Sequence, residues 1–362
     1  MNKPTEIIVV EIQNKAVGRL VLSPNGLAVF EYDAHWLQYD FSISPFYLPL
    51  QQGAFVAKRN PFHSNFGVFA DSLPDGWGNL LLDRVLKKHR INPHSINLLD
   101  RLSLVGSYGM GVLCYEPEQS MVQLEPSHDL KFLASEVAHI LNEESDSTAL
   151  ELLHQQAGSS AGARPKVMIK HNNEHWLIKF PSSSDPHNIG ETEYNYSLLA
   201  KKAGLEMPET HLFEGKYFGV KRFDRIGNER VHIHSAAGLL YADYRLPSLD
   251  YTELIKATWG LTHNAEEAEK MYRLMVFNVL IGNKDDHAKN FSFIYHNGSW
   301  KCSPVYDVLP CYGFNGHHST TIAGQGNPTV KDMYEVATQT SISTKRAEKI
   351  YEEVADSLSS KI

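Results

Sequence analysis

The stretch Leu280-Ile281-Gly282-Asn283-Lys284-Asp285-Asp286-His287-Ala288-Lys289-Asn290-Phe291-Ser292 gathers carboxylate, imidazole, ammonium and amide groups into one polar loop. Asp285 could take a proton as a general base, and Asn290 could offer an amide oxygen to a hard cation. A further carboxylate, Asp307 in Pro304-Val305-Tyr306-Asp307-Val308, could supply a second oxygen ligand. His287, two positions after Asp285, could orient the loop or meet an anionic substrate. From the spacing alone, a solvated turn that caps a helix accounts for these residues equally well.

Such a loop needs elements to hold it. The apolar run Met271 to Ile281 predicts a helix that breaks at Gly282, and Phe291 to Tyr295 alternates as a strand does. Upstream, the small-residue loop Gly158-Ser159-Ser160-Ala161-Gly162-Ala163-Arg164-Pro165-Lys166 runs into two apolar strands separated by Asn172-Asn173. That is a hairpin, and Lys179 ends its second strand. Small side chains let backbone N–H groups approach phosphate oxygens, which a lysine can also pair with. The loop is neither a Walker A sequence nor a full G-x-G-x-x-G, so it could equally be a linker. Glu191 to Ala203 predicts a helix stopped by Gly204; Glu193 is the candidate partner for Lys179, although acidic residues also simply favour helix N-termini.

The N-terminal residues predict a strand meander with a turn at Ser23-Pro24-Asn25-Gly26, then a helix over Asn79 to His89. Ser103 to Gly111 is glycine-rich without phosphate-binding spacing and predicts a turn. From about Ser235 the pattern becomes mostly helical. Strands before helices predict two lobes. The boundaries expected are 1–115 for an N-terminal module, 116–234 for a strand-rich lobe and 235–362 for a helical lobe.

Composition excludes several classes. The 362 residues carry a formal charge of -8, against gripping nucleic acid unaided. No apolar run approaches the roughly 20 residues that span a bilayer, and the first residues show no signal-peptide pattern. Three cysteines without metal-ligand spacing suit a reduced, cytoplasmic setting.

Asp285 and Asn290 stand at the separation of the catalytic Asp and metal-binding Asn of a protein-kinase catalytic loop. With Phe69-Ala70-Asp71-Ser72-Leu73-Pro74-Asp75-Gly76, the loop Ser159 to Lys166, Lys179, Arg222-Phe223-Asp224-Arg225 and Tyr306-Asp307, in that order, the chain resembles the HipA-like serine/threonine kinases of bacterial toxin–antitoxin systems over nearly its whole length. The resemblance implies an α+β, two-lobed protein-kinase-like fold with a small mixed α/β N-terminal module and a mainly helical C-lobe. It implies ATP and Mg2+ as cofactors. Lys179 would hold the α- and β-phosphates, Asp285 would act as base, and Asn290 and Asp307 would bind the metal. Ser160, Ala161, Gly162 and Ala163 would cover the phosphates, with His287 beside the nucleotide. Ser159 or its neighbour Ser160 would accept a self-inactivating phosphate.

The family further implies a protein substrate of the aminoacyl-tRNA synthetase type and a helix-turn-helix antitoxin through which alone operator DNA is met. Two departures stand out. Asp286 occupies a position where the family usually has glycine, adding a charge beside the base that would raise the pair's apparent pKa or turn outward toward Lys284. Val231 to Ser235 lacks an acidic residue, leaving backbone groups of His232, Ile233 and His234 for adenine. A metal-dependent hydrolase using Asp285, Asp286, His287 and Asp307, and a non-catalytic ATP-binding co-repressor, are the alternatives. Arg222 and Arg225 are expected to fix an inter-lobe hinge, and His317-His318 to lie in a polar loop.

Overall fold

The computed structural model describes residues 4–119, 124–142, 149–160 and 162–359. Its architecture is mixed α/β with several separate sheets. Contacts divide the chain into two units, Met1–Gly190 with His211–His232, and Glu191–Thr210 with Ile233–Ile362.

In the first unit, β1 (Ile7–Ile12) turns inward at Ile8, Val10 and Ile12, the period of two expected of a half-buried strand. Positive φ at Gln13 and Asn14 closes the tight hairpin to β2 (Lys15–Leu22). With β3 (Ala28–Tyr32), β4 (Ala54–Val56) and β5 (Cys114–Glu116) these strands form a sheet of order β4-β3-β2-β1-β5. Its buried face packs with Phe69 of α1 (Gly67–Ala70). Helix α2 covers Gly76–Lys88. Leu102 of α3 (Leu98–Val105) joins the sheet's core, and an Asn97–Asp100 capping box starts that helix.

Two of these elements differ from the pattern reading. Helix α2 opens three residues before Asn79, because Gly76 lets its first turn lie against the Ala163 backbone, Gly78 leaves room for the Pro74 ring and Trp77 is buried. Helix α3 reaches Val105, and only from Gly106, its stop at φ 49, does the expected turn begin.

A second core joins Trp77, Leu81 and Val85 of α2 to Leu133 and Val137 of α4 (Leu130–Leu141) and Leu153 of α5 (Leu150–Ala157). Val167 and Ile178 complete it from the hairpin of β6 (Lys166–His171) and β7 (Glu174–Lys179). With β8 (Thr210–Phe213) and β9 (Tyr217–Lys221) the order is β6-β7-β9-β8. A short ladder, β10 (Arg225–Ile226) with β11 (Glu229–Arg230), sets Arg225 opposite Arg230.

The second unit contains most of α6 (Ile189–Lys202) and a sheet ordered β12-β14-β15, from β12 (His232–Ser235), β14 (Ser292–His296) and β15 (Ser299–Cys302). The two-residue β13 (Leu249–Asp250) pairs in parallel with β16 (Thr320–Thr321). Helices α7 (Ala236–Leu240), α8 (Tyr251–Thr262), α9 (Ala265–Ile281), α10 (Val330–Gln339) and α11 (Thr344–Ser359) make up the rest. Met271, Leu274, Met275 and Asn278 line the buried side of α9 at helical spacing. Gly282 ends it in the left-handed region at φ 72, and Asn283 N–H turns back to the Asn278 carbonyl at 2.9 Å. The helix therefore stops where the polar loop begins. Among the described residues, no helix is long and apolar enough to cross a membrane.

Candidate active site

The loop after α9 is held at both ends and in the middle. Cys311 N–H donates to the Gly282 carbonyl and Lys284 N–H to the Cys311 carbonyl, each at 3.1 Å. A 3-10 turn over Ala288–Asn290 follows. It brings the Asn290 amide back to the Asp285 carbonyl at 2.7 Å. The Asp285 side chain faces solvent, whereas Asn290 is half-buried. His287 lies tilted against Tyr244, ring centroids 6.0 Å apart, and its buried Nδ1 has no hydrogen-bond partner.

Asp307 adopts φ 53, a left-handed conformation that costs an L-residue about 1 kcal/mol. Its carbonyl accepts from Asn283 Nδ2 at 3.1 Å, so a side chain at the start of the polar loop also anchors Asp307. Tyr306, just before it, donates to the Lys289 carbonyl at 2.8 Å. Mg2+ commonly takes one or two protein oxygens and completes its shell with phosphate and water. Asn290 and Asp307 suit that mode. Among the described residues there is no group of three or more His, Cys, Asp or Glu placed to hold a metal by themselves.

Asp286 does not turn outward. It is fully buried, and its carboxylate accepts from Tyr251 Oη at 3.0 Å, His318 Nδ1 at 2.8 Å and Ser319 N–H at 2.9 Å. Thr320 N–H adds a longer bond at 3.3 Å. Burial, and then the nearby Asp286 carboxylate, push the Tyr251 phenol well above its ordinary pKa and keep it a donor. Lys284 instead donates to the Gly316 carbonyl at 2.6 Å and to Asn327 at 3.1 Å. The outward turn toward Lys284, one of the two alternatives, does not occur: the Lys284 ammonium is engaged elsewhere, and the sealed carboxylate takes its donors from Tyr251, His318, Ser319 and Thr320. The inward course of Asp286 also takes away a ligand that the hydrolase alternative would use.

In the first unit, the small-residue loop is docked rather than loose; Ala161 lies outside the described residues. Trp77 N–H donates to the Gly162 carbonyl and Trp77 Nε1 to the Lys166 carbonyl, both at 3.2 Å. A Cβ on Gly76 would come within 2.8 Å of the Ala163 backbone, so this approach requires glycine. Gly162 sits at φ 100 against the Lys166 ammonium. Arg164 reaches Asp185 in a fork at 3.0–3.2 Å.

Ser159 is only 2% exposed and Ser160 3%. Ser159 Oγ accepts from Met110 N–H at 2.8 Å, and Ser160 Oγ donates to the Ala157 carbonyl at 2.8 Å. Half-buried Lys179 pairs across the hairpin with Lys166, its ammonium 5.7 Å from the Phe218 ring centre.

Arg222 and Arg225 have a task the pattern reading missed. Both bind the fully buried Asp224, at 2.6–2.9 Å, and Gly111 N–H reaches the same carboxylate at 2.7 Å. Arg225 also donates to the Gly109 and Gly111 carbonyls, and Arg230 to those of Ser107, Gly111 and Leu113. These side chains clamp the Ser107–Leu113 turn, the same turn whose Met110 holds Ser159. The signal available in the sequence was its glycines, which leave backbone carbonyls accessible. His232 Nε2 lies 2.9 Å from the Ile43 carbonyl and His234 is fully buried, so their rings serve the fold; Ile233 is half-buried. Glu193 is buried on α6.

A sequence profile of the HipA N-terminal domain matches residues 8–116, and one of the HipA-like C-terminal domain matches residues 158–362. Y4dM of Sinorhizobium fredii, provisionally named a kinase, is 29% identical over 152 residues, 37% of this chain and 37% of its own. A Haemophilus influenzae protein, also provisionally named a kinase, is 28% identical over 183 residues, 43% of this chain and 53% of its own. The chain thus spans about a third to a half of the length of these relatives. Among solved structures, a chain of the Shewanella oneidensis MR-1 toxin–antitoxin complex of HipA, HipB and operator DNA superposes with a TM-score of 0.73 at 18% identity, covering 96% of this chain and 88% of that one. At that identity the likeness establishes a shared fold.

Proposed function

The chain belongs to the HipA-like family, whose N- and C-terminal domains it both carries, and from that premise we propose that it is a two-lobed serine/threonine protein kinase. ATP would supply the γ-phosphoryl group and Mg2+ the countercharge. Lys179 holds the α- and β-phosphates, with Glu193 as its candidate partner. Asn290 and Asp307 hold the metal, and backbone from Ser159 to Lys166 covers the phosphates. Asp285 takes the proton of the attacking hydroxyl. Backbone groups of His232, Ile233 and His234 meet adenine. Phosphoryl transfer asks chiefly for position and positive charge, which lysine, metal and loop amides provide.

What carries this reading is the frame around the base. Asn290 closes on the Asp285 carbonyl while Asn283 holds the carbonyl of Asp307. Base and metal ligands are thus tied into one hydrogen-bonded loop system, which a solvated turn would not need. The substrate class is a protein of the translation apparatus, an aminoacyl-tRNA synthetase being the family's model. The partner is a helix-turn-helix antitoxin, in keeping with the HipB and operator DNA of the Shewanella complex. The acidic chain would then meet DNA only through that partner.

The test is transfer of label from γ-labelled ATP to proteins of a bacterial lysate and to the chain itself. Asp285→Asn and Lys179→Ala should each lower transfer by at least about a hundredfold, roughly 3 kcal/mol of barrier. Undiminished transfer in either variant would remove that residue's role. A wild type that binds nucleotide but labels nothing would favour the co-repressor.

A further inference from the structure

Between the proposed base and the proposed metal ligand of the second unit runs a buried chain of hydrogen bonds to which no role has yet been given. Asn283 Nδ2 divides its two protons between the Asp307 carbonyl at 3.1 Å and Asn278 Oδ1 at 3.0 Å. Asn278 Nδ2 donates to Tyr251 Oη at 3.0 Å, and Tyr251 Oη donates to Asp286 at 3.0 Å. From Asn283 onward every donor points toward Asp286. Tyr251 and Asp286 are fully buried, and Asn278 and Asn283 nearly so.

We propose that Asp286, Tyr251, Asn278 and Asn283 are positioning residues that set Asp285 and Asp307 as one unit, with the Asp286 carboxylate fixing the direction of the chain; this deepens the kinase assignment and rests on it. A carboxylate offers only acceptors, so it obliges Tyr251 to donate toward it. The hydroxyl oxygen is then left to accept from Asn278. That fixes which way the Asn278 amide faces and presents its oxygen to Asn283. Asn283 in turn must offer both protons, one of which holds Asp307 in its left-handed conformation.

Bonds aligned in this way polarise one another, so the chain acts as more than separate contacts. The Asp285 end is equally restrained. The carbonyl of Asp286 accepts from Thr320 Oγ1 at 2.5 Å while its side chain is held from β16 and the start of α8, so the residue that follows Asp285 is fixed at both its carbonyl and its side chain. A charge placed beside the base purely to repel it would face outward.

The test measures binding of Mn2+ with a non-hydrolysable ATP analogue by electron paramagnetic resonance, together with single-turnover phosphate transfer. The variants are Tyr251→Phe, Asp286→Asn, Asn283→Ala and the Tyr251→Phe/Asn283→Ala pair, each checked for folding by near-UV circular dichroism. Tyr251→Phe touches neither Asp285 nor Asp307, yet it should weaken Mn2+ binding five- to tenfold and slow transfer by a similar factor. Asp286→Asn should do the same. The double variant should lose no more than the worse of its two single changes, because both cut one chain.

Affinities within twofold of wild type in folded Tyr251→Phe would overturn the inference, as would losses that multiply in the double variant. Should Asp286→Asn not fold, Tyr251→Phe, which removes one hydroxyl, decides alone. Wild-type protein that bound no manganous nucleotide would bring down the kinase assignment and this inference together. Wild-type binding with unaffected variants would overturn this inference only.

Discussion

A carboxylate sealed from water survives only where donors replace its hydration. Burial by itself would raise the pKa of Asp224, but Arg222, Arg225 and the Gly111 amide outweigh it and hold the group at about 2, against 3.8 for a free side chain. Because the folded value is depressed, the stabilisation is complete above about pH 4 and is lost as pH falls toward 2. Asp224→Asn should cost about 3–5 kcal/mol at pH 7, since it strands two buried guanidinium groups. The gap between wild type and variant should then narrow by about 1 kcal/mol by pH 3. Urea unfolding of both proteins at the two pH values measures it. A gap that did not change with pH would mean that the charge of Asp224 contributes nothing and only its shape matters.

At the scale of an element, the loop from Gly158 to Lys166 is gripped by Trp77, by the Met110 amide and by the Arg164–Asp185 pair. A buried hydroxyl bonded at 2.8 Å to a backbone amide cannot receive a phosphoryl group in place. Phosphate on Ser159 therefore requires the loop to leave its dock, and about two added negative charges would keep it out. After incubation with Mg-ATP, intact-mass measurement should show one phosphate fewer on Ser159→Ala than on wild type, and Ser160→Ala should match wild type. Phosphorylated wild type should also be cut faster within the loop by elastase, which cleaves after small residues such as Ala163. An unchanged phosphate count in Ser159→Ala would transfer the assignment elsewhere.

The loop and hairpin were legible in the sequence because turn chemistry and strand alternation are local: Asn172-Asn173, Gly282 and the apolar run before it each act within a few residues. The clasp was not legible. Met110 lies 49 residues from Ser159 and Gly111 lies 113 from Asp224, and no local pattern encodes such pairings. Asp286 was misread for the same reason: from the sequence it is a surplus charge beside a lysine, whereas its partners Tyr251 and His318 are 35 and 32 positions away.

For the molecule as a whole, net charge and nucleotide charge have the same sign. A chain at -8 has no long-range attraction for ATP, so affinity must come from a few local cations. Under the proposed assignment these are Lys179, in the first unit, and the metal held by Asn290 and Asp307, in the second. A ligand that binds only the native state stabilises it by about 2.7 kcal/mol at a hundred times its Kd, which is a rise of a few degrees in Tm for a chain of this size. Mg-ATP should therefore raise the melting temperature, and ATP with a chelator should not. Under the proposed assignment, Lys179→Ala and Asp307→Ala should each abolish the rise. Scanning calorimetry also resolves whether the two units melt separately, as chains with more than one contact unit often do. A rise that survived in Asp307→Ala, or that needed no magnesium, would mean that the nucleotide is bound by the first unit alone and that the loop after α9 has another use.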